Sequence, residues 1–187
     1  MNENVRVRTK KLVMIAMFIA IIFAQEEVLT GIPNVQLTVL LLMVYGAVVG
    51  PLWGTVIVFA HCFLDNVIMA SLMPSVFLPM VIGWEIVMVF GWISKKWPLY
   101  VKTILSVLGA LIYCWLFVLA NYLMIPTIDI HKYIIADIPF EIVLMCSSGI
   151  SVALLYIPIF NIADKGYNFD KIKKDKELIN EEELPRQ

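Results

Sequence analysis

The chain lacks the short motifs of the common hydrolytic and metal-dependent enzymes. It contains no GxxxxGK(S/T) phosphate-binding loop, no HExxH zinc motif and no GxSxG nucleophile elbow. Its two histidines, His61 and His131, are too few for a histidine metal cluster. The three cysteines form no CxxC pair, and we expect them to be small buried residues. We therefore predict that the chain is not an enzyme and carries no metal or cofactor.

Charged residues are also scarce, at 16% against about 25% in soluble domains, while 61% of the residues are hydrophobic. Apolar stretches recur along the chain, and most approach the roughly 20 residues that cross a bilayer as a helix. We therefore predict an all-α, polytopic membrane protein with six transmembrane helices. The predicted spans are Leu12–Ala24, Val35–Val49, Leu52–Leu64, Val76–Ile93, Thr103–Met124 and Ile138–Phe160. Gly50 and Pro51 leave almost no loop between the second and third spans.

Lysine and arginine predict the orientation of these spans. All of them except Lys132 fall before the first span, between the fourth and fifth spans, or after the sixth. Because short basic loops stay on the cytoplasmic side, both termini are predicted to be cytoplasmic. The opposite side then receives mainly acidic residues, which are Glu26, Glu27, Asp65, Asp129, Asp137 and Glu141. The predicted organisation is a basic N-terminus (1–11), a six-helix membrane domain (12–162) and a charged cytoplasmic tail (163–187).

Polar side chains inside predicted spans are candidates for function because the bilayer makes them costly unless they face protein or water. The candidates toward the outer side are Gln36, His61, Asp65, Asn66 and Asn121. They suggest a polar cavity open to the outside, although His61 and Asp65, one turn apart, could simply pair with each other. Trp84 and Tyr113 lie too deep for an interfacial belt, so they either stack on a planar ligand or pack in the interior. Glu85 has no evident cationic partner.

Two local segments carry a family resemblance. Ala16 and Ala20 form an AxxxA step on the first span, which permits close helix approach in lipid. Residues 31–38 read GIPNVQLT and precede the second span. With the topology, these segments resemble the substrate-binding S component of an energy-coupling factor (ECF) vitamin transporter. The resemblance implies that Ala16 and Ala20 dock onto a transmembrane coupling subunit and that Asn34 and Gln36 line the substrate pocket.

By the same resemblance, the chain is a plasma-membrane subunit that captures a vitamin at the outer face. Delivery occurs by toppling of the whole subunit, driven by two cytoplasmic ATPases through the coupling subunit. The GIPNVQLT segment is most similar to the cobalamin-type S components of lactic acid bacteria. The full set of predicted substrate-binding residues is Asn34, Gln36, His61, Asp65, Asn66, Trp84, Tyr113 and Asn121.

Other ligands and functions remain open on the sequence. The absence of arginine from the spans disfavours a pocket that pairs with a carboxylate, as for pantothenate or folate, but helix N-termini also hold carboxylates. Riboflavin and a queuosine precursor are further alternatives, and cobalt ligation by His61 is also open. Alternatives of another class are a small intramembrane enzyme that uses His61 with Asp65, and a scaffold subunit without a ligand.

Overall fold

A computed structural model describes residues 3–32, 34–68 and 72–168, and this part of the chain folds into six α-helices with no strand. The helices are α1 (Glu3–Leu29), α2 (Thr38–Val49), α3 (Pro51–Ile68), α4 (Pro74–Ile93), α5 (Leu99–Met124) and α6 (Ile130–Tyr167). All except α2 are long and apolar enough to cross a membrane. The predicted all-helical class is confirmed, whereas six complete spans and cytoplasmic termini stay predictions. Residues 1–2 of the predicted N-terminal segment and 169–187 of the predicted tail lie outside the described residues.

Turn chemistry sets where several helices begin. Gly50 has a φ of 81°, which suits glycine, and Pro51 follows as the first residue of α3. Pro74 likewise begins α4. Asp129 caps α6, where its side chain accepts a hydrogen bond from the Lys132 amide at 3.3 Å. Because of this cap, α6 begins at Ile130, eight residues before the predicted span that starts at Ile138.

The second helix is the centre of the bundle rather than a full-length span. Eleven of its twelve residues, Thr38 to Val48, are buried. Twelve residues rise about 18 Å, which is short of the roughly 30 Å hydrocarbon core. Residues 35–37 were predicted to be part of this helix but lie in the loop before it. The short α2 is apolar all round because α1, α3, α4, α5 and α6 pack around it.

Two glycines bring the backbones of α2 and α4 into direct contact. A Cβ atom at Gly46 of α2 would overlap the carbonyl oxygen of Met88 in α4. Reciprocally, a Cβ at Gly91 of α4 would overlap the carbonyl oxygen of Met43 in α2. Small residues permit this close approach between apolar helices. The two contacts fix α2 against α4 in one register.

The first helix buries only one narrow stripe. Ile15, Phe18 and Ile22 face the bundle, and Phe18 stacks on Tyr45 of α2 with ring centroids 4.1 Å apart. The Ala16 and Ala20 positions lie on the exposed side of α1. Elsewhere, Cys62 and Cys114 are buried as expected, but Cys146 is exposed because it lies on the outward side of α6.

The two ends of the bundle carry opposite charge. We call the end that contains Glu26 and Asp65 the acidic end, and the end that contains Lys95 and Lys102 the basic end. The chain passes from the basic end to the acidic end along α1, α3 and α5, and returns along α2, α4 and α6.

Candidate functional site

The acidic end contains a cavity of about 250 Å³ bordered by α1, α3, α4, α5 and the loop before α2. Five of the predicted substrate-binding residues line it, and these are Asn34, Gln36, Asp65, Trp84 and Tyr113. Glu26 near the end of α1 and Thr30 directly after α1 also line the cavity, although neither was predicted to be a site residue. The cavity therefore gathers side chains from four helices and one loop.

A hydrogen-bond network around Thr38 joins the end of α1 to the start of α2. Gln25 Nε2 donates to Thr38 Oγ1 at 2.7 Å, and Gln25 Oε1 accepts from the Leu37 amide at 2.8 Å. The Thr38 hydroxyl donates to Glu26 Oε1, and Gln36 Oε1 lies 3.2 Å from the same hydroxyl. Gln25 thus satisfies an amide at the start of α2, where no side chain of the helix itself provides a cap. The network holds Glu26 and Gln36 beside each other at the cavity.

The second oxygen of Glu26 faces His61. Glu26 Oε2 lies 3.5 Å from His61 Nε2, and the imidazole is fully buried. The i, i+4 spacing suggested a pair between His61 and Asp65, but in the structure His61 lies beside Glu26. The reason is that α3 packs against α1, so the end of α1 places a carboxylate beside the ring. His61 lies behind the cavity and is not among its lining residues. Among the described residues, neither ring nitrogen has a hydrogen-bond partner.

Two aromatic rings form one wall of the cavity. Trp84 of α4 and Tyr113 of α5 stack with centroids 3.9 Å apart and an interplanar angle of 21°. Trp84 is 1% exposed, and its indole N–H has no acceptor within the described part of the chain. From the sequence, these rings were expected either to stack on a ligand or to pack in the interior. In the structure they stack on each other. An unpartnered buried donor is costly unless a ligand or a water pairs with it.

The loop before α2 is tied to the opposite side of the bundle by Asn34. Asn34 has a φ of 60°, in the left-handed region that asparagine tolerates. Its side-chain amide donates to the Phe140 carbonyl at 3.0 Å, and its own carbonyl accepts from Ser147 Oγ at 3.2 Å. Both partners belong to α6. These two bonds position Asn34 and the neighbouring Gln36 over the cavity.

Two predicted site residues lie away from the cavity. Asn66 is buried, and its amide nitrogen donates to the Cys62 carbonyl at 2.8 Å and contacts Met80 Sδ at 3.1 Å. Asn121 donates to the Phe117 carbonyl at 2.9 Å. Each asparagine bonds the carbonyl one turn earlier in its own helix, a local pairing open to polar side chains in helices. Neither residue lines the cavity.

Two further acidic side chains, Glu85 and Glu141, each bond a side chain of a neighbouring helix. Glu85 Oε1 accepts from Thr55 Oγ1 at 2.6 Å and borders an apolar groove on α4. Glu141 Oε1 accepts from the Trp115 indole at 3.0 Å. Both pairs link neighbouring helices outside the cavity. They are structural contacts and add nothing to the cavity lining.

The functional residues that were not predicted from the sequence lie at the end of α1 and the start of α2. Gln25, Glu26 and Thr38 build the network, but Glu26 had been counted only as part of an acidic outer surface. The run Gln25-Glu26-Glu27 directly after an apolar stretch was the available signal. It was overlooked because α1 continues to Leu29, one turn beyond the predicted span end at Ala24. The extra turn carries the carboxylate into the protein.

The charge of the cavity limits what it binds. Its lining includes the carboxylates of Glu26 and Asp65 but no lysine or arginine. Carboxylate ligands would be repelled there, whereas amides, hydroxyls, aromatic rings and cations would be accepted. Over the described residues, no group of three or more histidine, cysteine or acidic side chains is placed to hold a metal ion. The arrangement suits recognition by hydrogen bonds and stacking.

Comparison with protein-family models, with curated proteins and with solved structures gives no match for this chain.

Proposed function

We propose that this chain is the substrate-binding S component of an ECF-type vitamin importer in the plasma membrane, with both termini cytoplasmic. The observation that carries the proposal is the cavity at the acidic end. It combines convergent polar groups, an aromatic wall and a buried unpartnered indole N–H, which are typical of a small-molecule site. The chain has no phosphate-loop motif, so ATP hydrolysis belongs to two partner ATPases.

Cobalamin is the ligand that we propose. A corrinoid is rich in amides and nearly neutral, so a cavity without basic side chains suits it better than it suits pantothenate or folate. Pockets for drug-sized ligands span about 300–1,000 Å³, and the present cavity of about 250 Å³ is smaller. Cobalamin binding therefore requires the loop before α2 to move outward and break the bonds from Asn34 to α6. A smaller neutral or cationic vitamin is the alternative.

The exposed side of α1 supports docking onto the coupling subunit. Ala16 and Ala20 lie one turn apart on that side, and small side chains allow another helix to approach closely. The occupant that we propose is a transmembrane helix of the coupling subunit. The whole S component would topple as a unit while α2 and α4 stay in register.

The intramembrane-enzyme alternative receives no support from the site. His61 is fully buried, pairs with Glu26 and does not line the cavity. A substrate in the cavity would therefore not reach its ring nitrogens.

Calorimetric titration of the purified chain with a panel of vitamins tests the binding function. Cobalamin is expected to bind, and Asp65→Asn to bind it more weakly, while Asn121→Ala serves as a control outside the cavity. Binding of thiamin-sized compounds alone would reject cobalamin and keep the S-component assignment. No binding by any vitamin, with turnover of a lipid or peptide, would reject both.

Docking is tested separately by substitutions on α1. Ala16→Leu and Ala20→Leu are expected to abolish uptake by the complete complex and to leave vitamin binding by the isolated chain intact. Ala153→Leu, at an exposed position of α6, is the matched control. Normal uptake in the α1 variants would show that the coupling subunit docks elsewhere.

A further inference from the structure

A second cavity lies at the basic end, between the loop before α5 and the C-terminal part of α6. Its volume is about 220 Å³, and its polar lining comes from Lys95, Lys102 and Tyr156. Trp97 and Phe160 contribute aromatic rings beside them. Among the residues that the structure describes, no acidic side chain lines this cavity. It shares no lining residue with the cavity at the acidic end.

The two lysines are held by aromatic rings rather than by carboxylates. Lys102 is 5% exposed, donates to the Trp97 carbonyl oxygen, and has its Nζ 5.3 Å from the centre of the Tyr156 ring. Lys95 Nζ lies 6.0 Å from the centre of the Phe160 ring. An ammonium group has three donors, so Lys102 keeps two for a further partner. The nearby carboxylate of Asp164, one turn beyond Phe160, does not line the cavity; it accepts a hydrogen bond from Asn168 at 2.9 Å.

A buried hydroxyl in the same cavity lacks a partner. Tyr156 is 4% exposed, and over the described residues its hydroxyl has no hydrogen-bond partner. A buried hydroxyl left unpaired is costly unless a ligand or water satisfies it. Leu99, which also lines the cavity, is the first residue of α5, and the positive end of the helix dipole favours an anion there. Positive charge, a spare hydroxyl donor and a helix N-terminus therefore converge on one volume.

We propose that this cavity binds the phosphate of an anionic membrane lipid, with Lys95, Lys102 and the Tyr156 hydroxyl as donors. Phosphate is the common anion that accepts several such donors at once. A lipid is favoured over free phosphate because exposed apolar side chains border the cavity on the surface of the bundle, where acyl chains would lie. Trp97 is 47% exposed and Ile157 is 55% exposed. Basic pockets between helices near the cytoplasmic surface are suited to anionic headgroups.

The test uses native mass spectrometry of the full chain in a neutral detergent. The chain is titrated with phosphatidylglycerol, with phosphatidylcholine of the same acyl chains, and with inorganic phosphate. Phosphatidylglycerol is expected to bind more tightly than phosphatidylcholine. Tyr156→Phe, which removes only the hydroxyl, is expected to weaken this binding roughly tenfold. Lys95→Gln is expected to weaken it about fivefold.

Two matched controls separate the site from general surface charge. Lys96→Gln removes a neighbouring exposed lysine, and Tyr100→Phe removes an exposed tyrosine hydroxyl, and neither residue lines the cavity. Both variants are expected to bind phosphatidylglycerol as the natural chain does. Equal weakening by Lys95→Gln and Lys96→Gln would overturn the proposal, as would equal binding of the two lipids. Tight binding of inorganic phosphate without a preference for phosphatidylglycerol would reject the lipid and identify a free-phosphate site.

Discussion

The acidic end and the basic end of the bundle satisfy their buried polar groups in different ways. At the acidic end, Glu26 bonds Thr38 and pairs with His61, so a carboxylate and an imidazole depend on each other across two helices. At the basic end, Lys102 bonds a backbone carbonyl and lies over an aromatic ring, and no carboxylate of the described helices and loops pairs with it. Removing one side chain should therefore reduce stability more at the acidic end, because it leaves a buried polar side chain without its partner.

The largest effect on stability is expected from Glu26→Leu. The change removes the carboxylate that lies 3.5 Å from the buried His61 ring and leaves the Thr38 hydroxyl with only Gln36 Oε1 as an acceptor. We expect a cost of about 1.5–3 kcal/mol, as for the loss of a hydrogen bond to a charged group. The double variant Glu26→Leu with His61→Leu is expected to be more stable than Glu26→Leu alone, because no buried ionisable partner remains. Thermal unfolding in detergent compares the three proteins. A double variant less stable than the single variant would show that the pair is not coupled.

The next largest effect is expected on ligand affinity, and it distinguishes residues that line the cavity from residues that do not. Asp65→Asn and Gln36→Ala are expected to weaken vitamin binding by about 1–3 kcal/mol, or roughly 5- to 150-fold, since both residues line the cavity. Asn121→Ala is expected to leave binding unchanged because its side chain bonds the Phe117 carbonyl. Calorimetric titration measures all three. A loss of affinity in Asn121→Ala equal to that in Asp65→Asn would move the site away from this cavity.

Lys102→Met examines the basic end and is expected to cost about 1–2 kcal/mol. It removes one hydrogen bond to the Trp97 carbonyl and one cation–π contact, but keeps the apolar stem that packs beside Tyr156. The same unfolding measurement applies. If this variant loses as much stability as Glu26→Leu, the contrast between the two ends fails.

The smallest effect is expected for Glu85→Gln, at well under 1 kcal/mol. Glutamine keeps an oxygen that accepts from Thr55 Oγ1, and its amide nitrogen replaces a carboxylate oxygen that has no hydrogen-bond partner among the described residues. Vitamin binding should also be unchanged, because Glu85 does not line the cavity at the acidic end. A large loss of binding or stability would assign Glu85 a role that its contacts do not suggest.

The sequence predicted the helical class and part of the site for identifiable reasons. Trp84, Tyr113 and Asp65 were found because large aromatic or charged residues inside apolar stretches are conspicuous. Asn66 and Asn121 were included on the same basis, but hydropathy does not show that they bond their own helices. Glu26 was missed because its role depends on the packing of α1 against α3. Rotation of helices about their axes arises from packing and is not encoded in a hydropathy profile.

The direct contact between α2 and α4 has a genetic consequence. Every missense change at Gly46 or Gly91 adds at least a Cβ atom, and at both positions that atom would meet a carbonyl oxygen of the other helix. Even alanine, the mildest replacement elsewhere in a helix, would force the two backbones apart. The neighbouring residues Ala47 and Phe90 already carry a Cβ atom, so a substitution there adds no new Cβ against the facing backbone. Random mutagenesis should therefore recover no tolerated missense allele at these two codons, and intolerance should not depend on the chemical character of the incoming residue.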